Sequence, residues 1–188
     1  MTPDGLQYTP DFLSEDEERA LIAAVETLPF HEVRMHGVAA RRTVIHFGYD
    51  YDYSGWSITP AAPPPDFLAP LLARAGAAAG VDAWEQILVA RYPPGATIGW
   101  HRDAPMFGSP VAGISLGAPC VMRFRRGEVR AWETYALPLA PRSLYVIGGE
   151  ARRDWQHSIP ALKFLRYSIS LRVLTDGWRR RAAASQGR

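Results

Sequence analysis

The sequence predicts an α+β domain, mainly β, with helices near its start and an antiparallel sheet sandwich or barrel after Gly80. Three observations carry this. A length of 188 residues suits one domain with a real core. Ser14 and Glu17 form an S-x-x-E capping box, followed by Leu21, Ala24, Val25 and Leu28 at helical spacing. After Gly80 the texture becomes short apolar or alternating runs, QILVARY, VAGISLG, CVMRFR, SLYVIGG and RYSISLRVL, separated by Gly, Pro and charge.

The elements follow in order. The first helix opens at Ser14. The proline-rich stretch AAPPPDF (61–67) breaks the chain. A second helix is expected from about Ala69 to Ala79, with Pro70 tolerated in its first turn and Gly80 ending it. The end, GWRRRAAASQGR, reads as a basic tail over 177–188, frayed or following a short helical turn. Residues 1–176 then form the domain, with helices and a lid over about 1–80 and the β core over 81–176.

Composition excludes some classes. Apolar residues at 47% and charged residues at 21% are ordinary for a globular chain, and no apolar run reaches membrane-span length. The start, MTPDGLQYTPDF, lacks the pattern of a signal peptide. One cysteine permits no intrachain disulfide, so a cytoplasmic setting is expected. Net charge is only +2, yet the cations are twenty Arg and one Lys. Arginine suits carboxylates and phosphates. Codon bias explains the same count, because Ala, Pro and Gly are abundant too.

Of five histidines (His31, His36, His46, His101 and His157), His101 lies in W-H-R-D. On a strand, residues two apart share a face, so His101 and Asp103 can reach one metal. Imidazole plus carboxylate is two-thirds of the facial triad of non-haem iron oxygenases. Taken alone, H-x-D favours a surface or core-satisfied pair, and His157, in DWQHSIP, is by itself more often a structural histidine than a ligand. The last strand, RYSISLRV, puts Arg166, Ser168, Ser170 and Arg172 on one face and Tyr167, Ile169, Leu171 and Val173 on the other. The polar face either meets water or turns inward around a doubly charged acid.

Taken together, H-x-D, the later His157 and R-x5-R from Arg166 to Arg172 resemble the AlkB family of 2-oxoglutarate- and iron(II)-dependent dioxygenases. The likeness runs through RYPPGATIGWHRD (91–103), GISLGAP (113–119), PRSLYVIGGEARRDWQHSI (141–159) and RYSISLR (166–172), and more loosely through HFGYDYDYSG (46–55). It implies a double-stranded β-helix (jelly roll) with N-terminal helices packed on one side. It implies Fe(II) held by His101, Asp103 and His157, with 2-oxoglutarate and O2 as co-substrates. Arg166 would bind a carboxylate of the 2-oxo acid, Arg172 would support that acid and the metal Asp, and Ser168, Ser170 and Tyr92 would complete its contacts. The chain departs from the family at Ala90, where many members have Asn and a co-substrate hydrogen bond. It departs again at Pro105, where the bacterial repair enzyme has an acidic residue that reads the damaged base.

The N-terminal half would supply the lid. Arg42, Tyr49, Tyr51 and Tyr53, with Arg41 and Trp56 nearby, suit a flipped base and its phosphates, or else form a plain β-hairpin edge. Arg125, in a cluster with Arg123, Arg126 and Arg130, is a further candidate substrate contact or part of a solvated face. The resemblance implies oxidative demethylation of N-alkylated bases in DNA or RNA, preferably single-stranded, releasing formaldehyde, succinate and CO2 from a monomer. The alternatives are the same chemistry on a protein side chain or small molecule, and a non-catalytic binding barrel.

Overall fold

The alternating runs become strands because each can bury one face and hydrogen-bond both edges. The computed structural model describes residues 1–35, 38–52 and 57–186. In chain order these form β1 (Leu6–Thr9), α1 (Glu15–Glu26), β2 (His31–Met35), β3 (Val38–Phe47), β4 (Tyr49–Asp52) and β5 (Ser57–Pro60). A 3-10 turn (Asp66–Leu68) runs into α2 (Ala69–Ala79), followed by β6 (Gln86–Tyr92), β7 (Ile98–His101), β8 (Phe107–Gly117), β9 (Cys120–Arg126) and β10 (Glu133–Leu139). Then come β11 (Ser143–Ile147), α3 (Gly149–Arg153), β12 (Gln156–Ile159), β13 (Arg166–Leu174) and α4 (Asp176–Gln186).

Both expected helices form with the caps the sequence announces. Ser14 accepts from the Glu17 backbone N–H while the Glu17 side chain accepts from the Ser14 backbone N–H. Gly80 closes α2 in the left-handed region at φ 68°, donating to the Gly76 carbonyl.

The strands make an antiparallel seven-stranded sheet, β1-β11-β8-β13-β6-β3-β2, and a four-stranded sheet, β10-β9-β12-β7. The two face each other. Leu88, Tyr92, Tyr145 and Ile147 from the larger sheet meet Met122, Phe124, Leu137 and Leu139 from the smaller in one buried layer. On the other side of the larger sheet, Leu21 and Val25 of α1 and Leu71 and Ala75 of α2 pack against Ile87, Val89, Ile114, Ile169 and Leu171. This is the jelly roll with helices on one side that the sequence implied.

Two expectations need correction. The first 80 residues are not only helices and lid: β1 pairs with β11, and β2 and β3 extend the large sheet beyond β6. These strands have unpaired edges to satisfy, and long-range pairing leaves no local signal to read. The tail is also not frayed. Residues 176–186 form α4, whose Trp178 and Ala182 pack with Met106, Phe107 and Leu174. Arg179, half exposed, pairs with Glu85 at 2.7 Å and donates to the Leu174 carbonyl.

Candidate active site

The inner face of the large sheet is a grid set by strand register. Arg166 stands between Gly117 and Tyr92, and Ser168 between Ser115 and Ala90. Ser170 stands between Gly113 and Leu88, and Arg172 between Val111 and Gln86. The opposite parity, Tyr167, Ile169 and Leu171, goes to the helix layer. The polar face of β13 therefore turns inward, with Arg166 0% and Ser168 3% exposed.

Arg166 donates from Nη2 to Ser115 Oγ at 2.9 Å, and its guanidinium carbon lies 5.3 Å from the centre of the Tyr92 ring. Its Nε and Nη1 are sealed from solvent without a hydrogen-bond partner. A buried guanidinium left this way is costly, and a carboxylate is the group that would satisfy both nitrogens. The donor set therefore fits an acid such as 2-oxoglutarate.

Facing this grid, β7 and β12 pair with His101 opposite His157. The next pair is Ile98 with Ile159, so β7 has one residue more than β12 between the two pairs. That bulge lets Ile98 and His101 both face inward and sends Trp100, 37% exposed, outward. The two imidazole centres are 4.3 Å apart. His101 Nδ1 donates to the Gly99 carbonyl at 2.9 Å, which leaves Nε2 with its lone pair.

Asp103, just beyond β7, brings Oδ2 to 3.8 Å from His157 Nε2. Its Oδ1 accepts from Arg172 Nε at 3.0 Å and lies 2.9 Å from Arg172 Nη2. Arg172 Nη1 donates to Gln86 Oε1 at 2.9 Å. Burial works to raise the Asp103 pKa, but Arg172 and the two histidines hold it well below the usual carboxylate range. Burial, then the neighbouring His101, pushes His157 down to about 3. An ionised carboxylate and neutral imidazoles are the forms that bind a metal. Among the described residues no three His, Cys, Asp or Glu side chains enclose an ion as placed, so the triad is a convergence rather than a closed cage. In donor chemistry and strand pairing it fits iron(II).

Two contributors escaped the sequence reading. Arg152 on α3 donates to the carbonyls of Ala104, Phe107 and Gly108, clamping the loop behind Asp103. Tyr145 on β11 lies in the layer between the sheets, and burial pushes its phenol up to about 12, so it stays protonated at neutral pH. Neither carries a motif. Both depend on which strands and helices meet.

The lid candidates divide. Tyr49 and Tyr51 lie on β4, which pairs with β5 as a hairpin, and both pack with Met106 and Phe107 just after Asp103. Phe107 in turn sits under Arg172 at 5.0 Å. Arg42 is half-buried and shares the inward parity of Val44 and His46. Tyr53, Trp56 and His36 lie outside the described residues. Arg125 does not face the pocket. It alternates with inward Phe124, so it lies on the outer face of the smaller sheet, its guanidinium 4.3 Å from both the Trp100 and Trp132 rings.

His46, 7% exposed and beside Asp50, supplies a pH prediction. Burial pushes its pKa down to about 4, with Asp50 opposing. The folded state favours the neutral ring, so this contribution is complete above about pH 6.5 and is lost as pH falls toward 4. The gap corresponds to about 3 kcal/mol at most. His46→Asn should flatten the fall in urea-unfolding free energy between pH 6.5 and 4, measured without iron or 2-oxo acid. Equal slopes in variant and wild type would refute it.

The model of the 2OG-Fe(II) oxygenase superfamily matches residues 5–170, and with the facing sheets and the inward arginine it defines the class as keto-acid-dependent iron oxygenases. The "Alkylated DNA repair protein ALKBH8 homolog" of Arabidopsis thaliana is 32% identical over 181 residues, covering 83% of this chain and 51% of that protein. The chain thus spans about half of that relative. The mitochondrial "Alpha-ketoglutarate-dependent dioxygenase alkB homolog 7" of Bos taurus is 32% identical over 160 residues, covering 83% of the chain and 67% of that protein. The solved structure of OsALKBH1 shares the fold at a TM-score of 0.72 with 16% identity, covering 92% of this chain and 97% of that one. The chain belongs to the AlkB family of 2-oxoglutarate- and iron(II)-dependent oxygenases. It is an oxidoreductase that uses Fe(II), 2-oxoglutarate and O2. No helix among the described residues is long and apolar enough to cross a membrane.

Proposed function

We propose that this chain oxidatively demethylates N-alkylated bases in DNA or RNA, with His101, Asp103 and His157 holding the iron and Arg166 a carboxylate of 2-oxoglutarate. The observation that carries the site is the buried, two-thirds unpaired Arg166 guanidinium in the same inter-sheet layer as the His-Asp-His convergence. Bound iron, with the 2-oxo acid and O2, supplies oxidation of a C–H bond, with succinate and CO2 as co-products. The protein does the rest. Arg166 orients the acid, with Ser168, Ser170 and Tyr92 beside it on the same face. Arg172 keeps Asp103 ionised and aimed, and Arg152 holds the loop that follows. Phe124, Met122 and Leu88 exclude water.

A nucleic-acid substrate is supported by the name of the Arabidopsis relative, by the Tyr49–Tyr51 hairpin packed behind Asp103, and by half-buried Arg42. A strand without a pairing partner costs less to unstack, so single-stranded substrate is favoured. The chain acts as a monomer, in a reducing cytoplasm that suits its one buried cysteine. Pro105 favours a second reading, the same oxidation on a protein side chain or small molecule, because it offers no acidic group to an exocyclic amine.

With iron, ascorbate and 2-oxoglutarate, oligonucleotides carrying 1-methyladenine or 3-methylcytosine should release formaldehyde in step with succinate. Succinate without formaldehyde across single- and double-stranded DNA and RNA would favour the second reading.

A further inference from the structure

We propose that the outer face of the four-stranded sheet is a platform for single-stranded nucleic acid, carrying the part of the strand that flanks the reacting nucleotide. The inference rests on the nucleic-acid reading of the substrate and adds where the rest of the strand lies.

The pleat builds this face from every second residue. On β9, Val121, Arg123 and Arg125 alternate with the inward Met122 and Phe124. Arg125 stands between Thr134 and Gln156, and Arg123 between Ala136 and Ser158. Trp132, just ahead of β10, shares the parity of Thr134 and Ala136. The bulge of β7 sends Trp100 to the same side. The Arg125 guanidinium lies over both indoles, its carbon 4.3 Å from each ring centre. Its Nε donates to Gln156 Oε1 at 2.8 Å, and its two terminal nitrogens have no hydrogen-bond partner among the described residues.

Exposure, charge and spacing favour a nucleic acid here. Trp100 and Trp132 are each more than a third exposed, whereas Trp84, Trp155 and Trp178 are half-buried or buried. A base stacked on such an indole covers it, whatever the base. Strands β7, β9, β10 and β12 hold one acidic side chain, Glu133, and it pairs with Arg126. The loop joining β9 to β10 adds one charge of each sign, Glu128 and Arg130. Arg123 is exposed and has no partner among the described residues. Two residues along a strand, Arg123 and Arg125 stand about 6.8 Å apart, comparable with successive phosphates of an extended single strand. An acidic peptide would pair with the arginines but leave the indoles in water. An apolar partner would cover the indoles but bury Arg123 unpaired.

The face also adjoins the site. β7 is an edge strand of its sheet, and its consecutive residues Trp100 and His101 serve opposite faces. A strand with one nucleotide extruded into the layer between the sheets reaches Trp100 by rounding the β7 edge.

Fluorescence anisotropy of labelled, unmodified oligothymidylate and oligouridylate, each of about fifteen nucleotides, reads binding by the full chain across a salt series. Trp132→Ala should weaken binding about five- to a hundredfold, the loss of one stacked base. Arg123→Gln should lower the slope of log Kd against log salt by about 0.7, the loss of one phosphate contact on a single strand. Arg123 has no contact to lose among the described residues, so its variant should keep the wild-type melting temperature and the wild-type thermal shift with 2-oxoglutarate. Wild-type affinity and slope in both variants would strike the platform and leave the substrate reading standing. No binding of either oligonucleotide by the wild type would strike both. Labelled polyglutamate bound as tightly as the oligonucleotides, and weakened by the same substitutions, would make this face a dock for an acidic protein and overturn the proposal.

Discussion

Arg166→Met is expected to weaken 2-oxoglutarate binding by about a hundredfold or more while leaving the unliganded fold as stable as the wild type, or more so. Both halves come from one fact. Arg166 is fully buried, with one bond to Ser115 and two nitrogens unpaired. Without the acid, that charge is a desolvation cost, and a hydrophobic side chain of similar volume in its place is often neutral or stabilising. With the acid, truncating one partner of a buried charge pair costs about 2–5 kcal/mol. Wild-type protein should therefore melt higher on adding 2-oxoglutarate, whereas Arg166→Met should gain nothing at the same concentration. Iron binding should persist, because Arg166 contacts none of the three candidate ligands. An equal thermal shift in both proteins would show that the acid is held elsewhere.

Asp103→Ala is expected to abolish succinate formation and most iron binding, and also to destabilise the metal-free protein. His101→Ala should abolish turnover as completely with a smaller loss of stability. The difference lies in what each side chain supports. Asp103, 5% exposed at its side chain, is the carboxylate that Arg172 grips, and Arg172 is itself only 13% exposed there. Removing one partner of such a buried pair costs about 3–5 kcal/mol. Among the described residues, His101 hydrogen-bonds only the Gly99 carbonyl, within its own strand. Succinate yield, Fe(II) binding and urea midpoints measured on the two variants check this. Normal turnover in either would refute the ligand assignment. Equal destabilisation would refute the supporting role given to Arg172.

The outcome for β13 shows how far a strand's own pattern reaches. Alternation made two faces certain but left open whether the arginine face met water. Register with Ser115 and Ala90 on either side, under a second sheet, turned it inward. Arg125 shows the opposite case. Its clustering with Arg123 left two readings open, and pairing of Phe124 with His157 put the arginine on the outer face.

What the residues determined alone was local: the Ser14 cap, the glycine end of α2, the two-faced strands, and the order of H-x-D, His157 and R-x5-R along the chain. These depend on neighbours a few positions apart, where backbone geometry dictates which side chains can meet. Tertiary structure decided the bulge that aims His101, the Arg152 clamp and the docking of α4. Each depends on which distant segments pair. That choice depends on burying apolar faces and pairing backbone groups over the whole molecule, a sum to which no short stretch of sequence gives access.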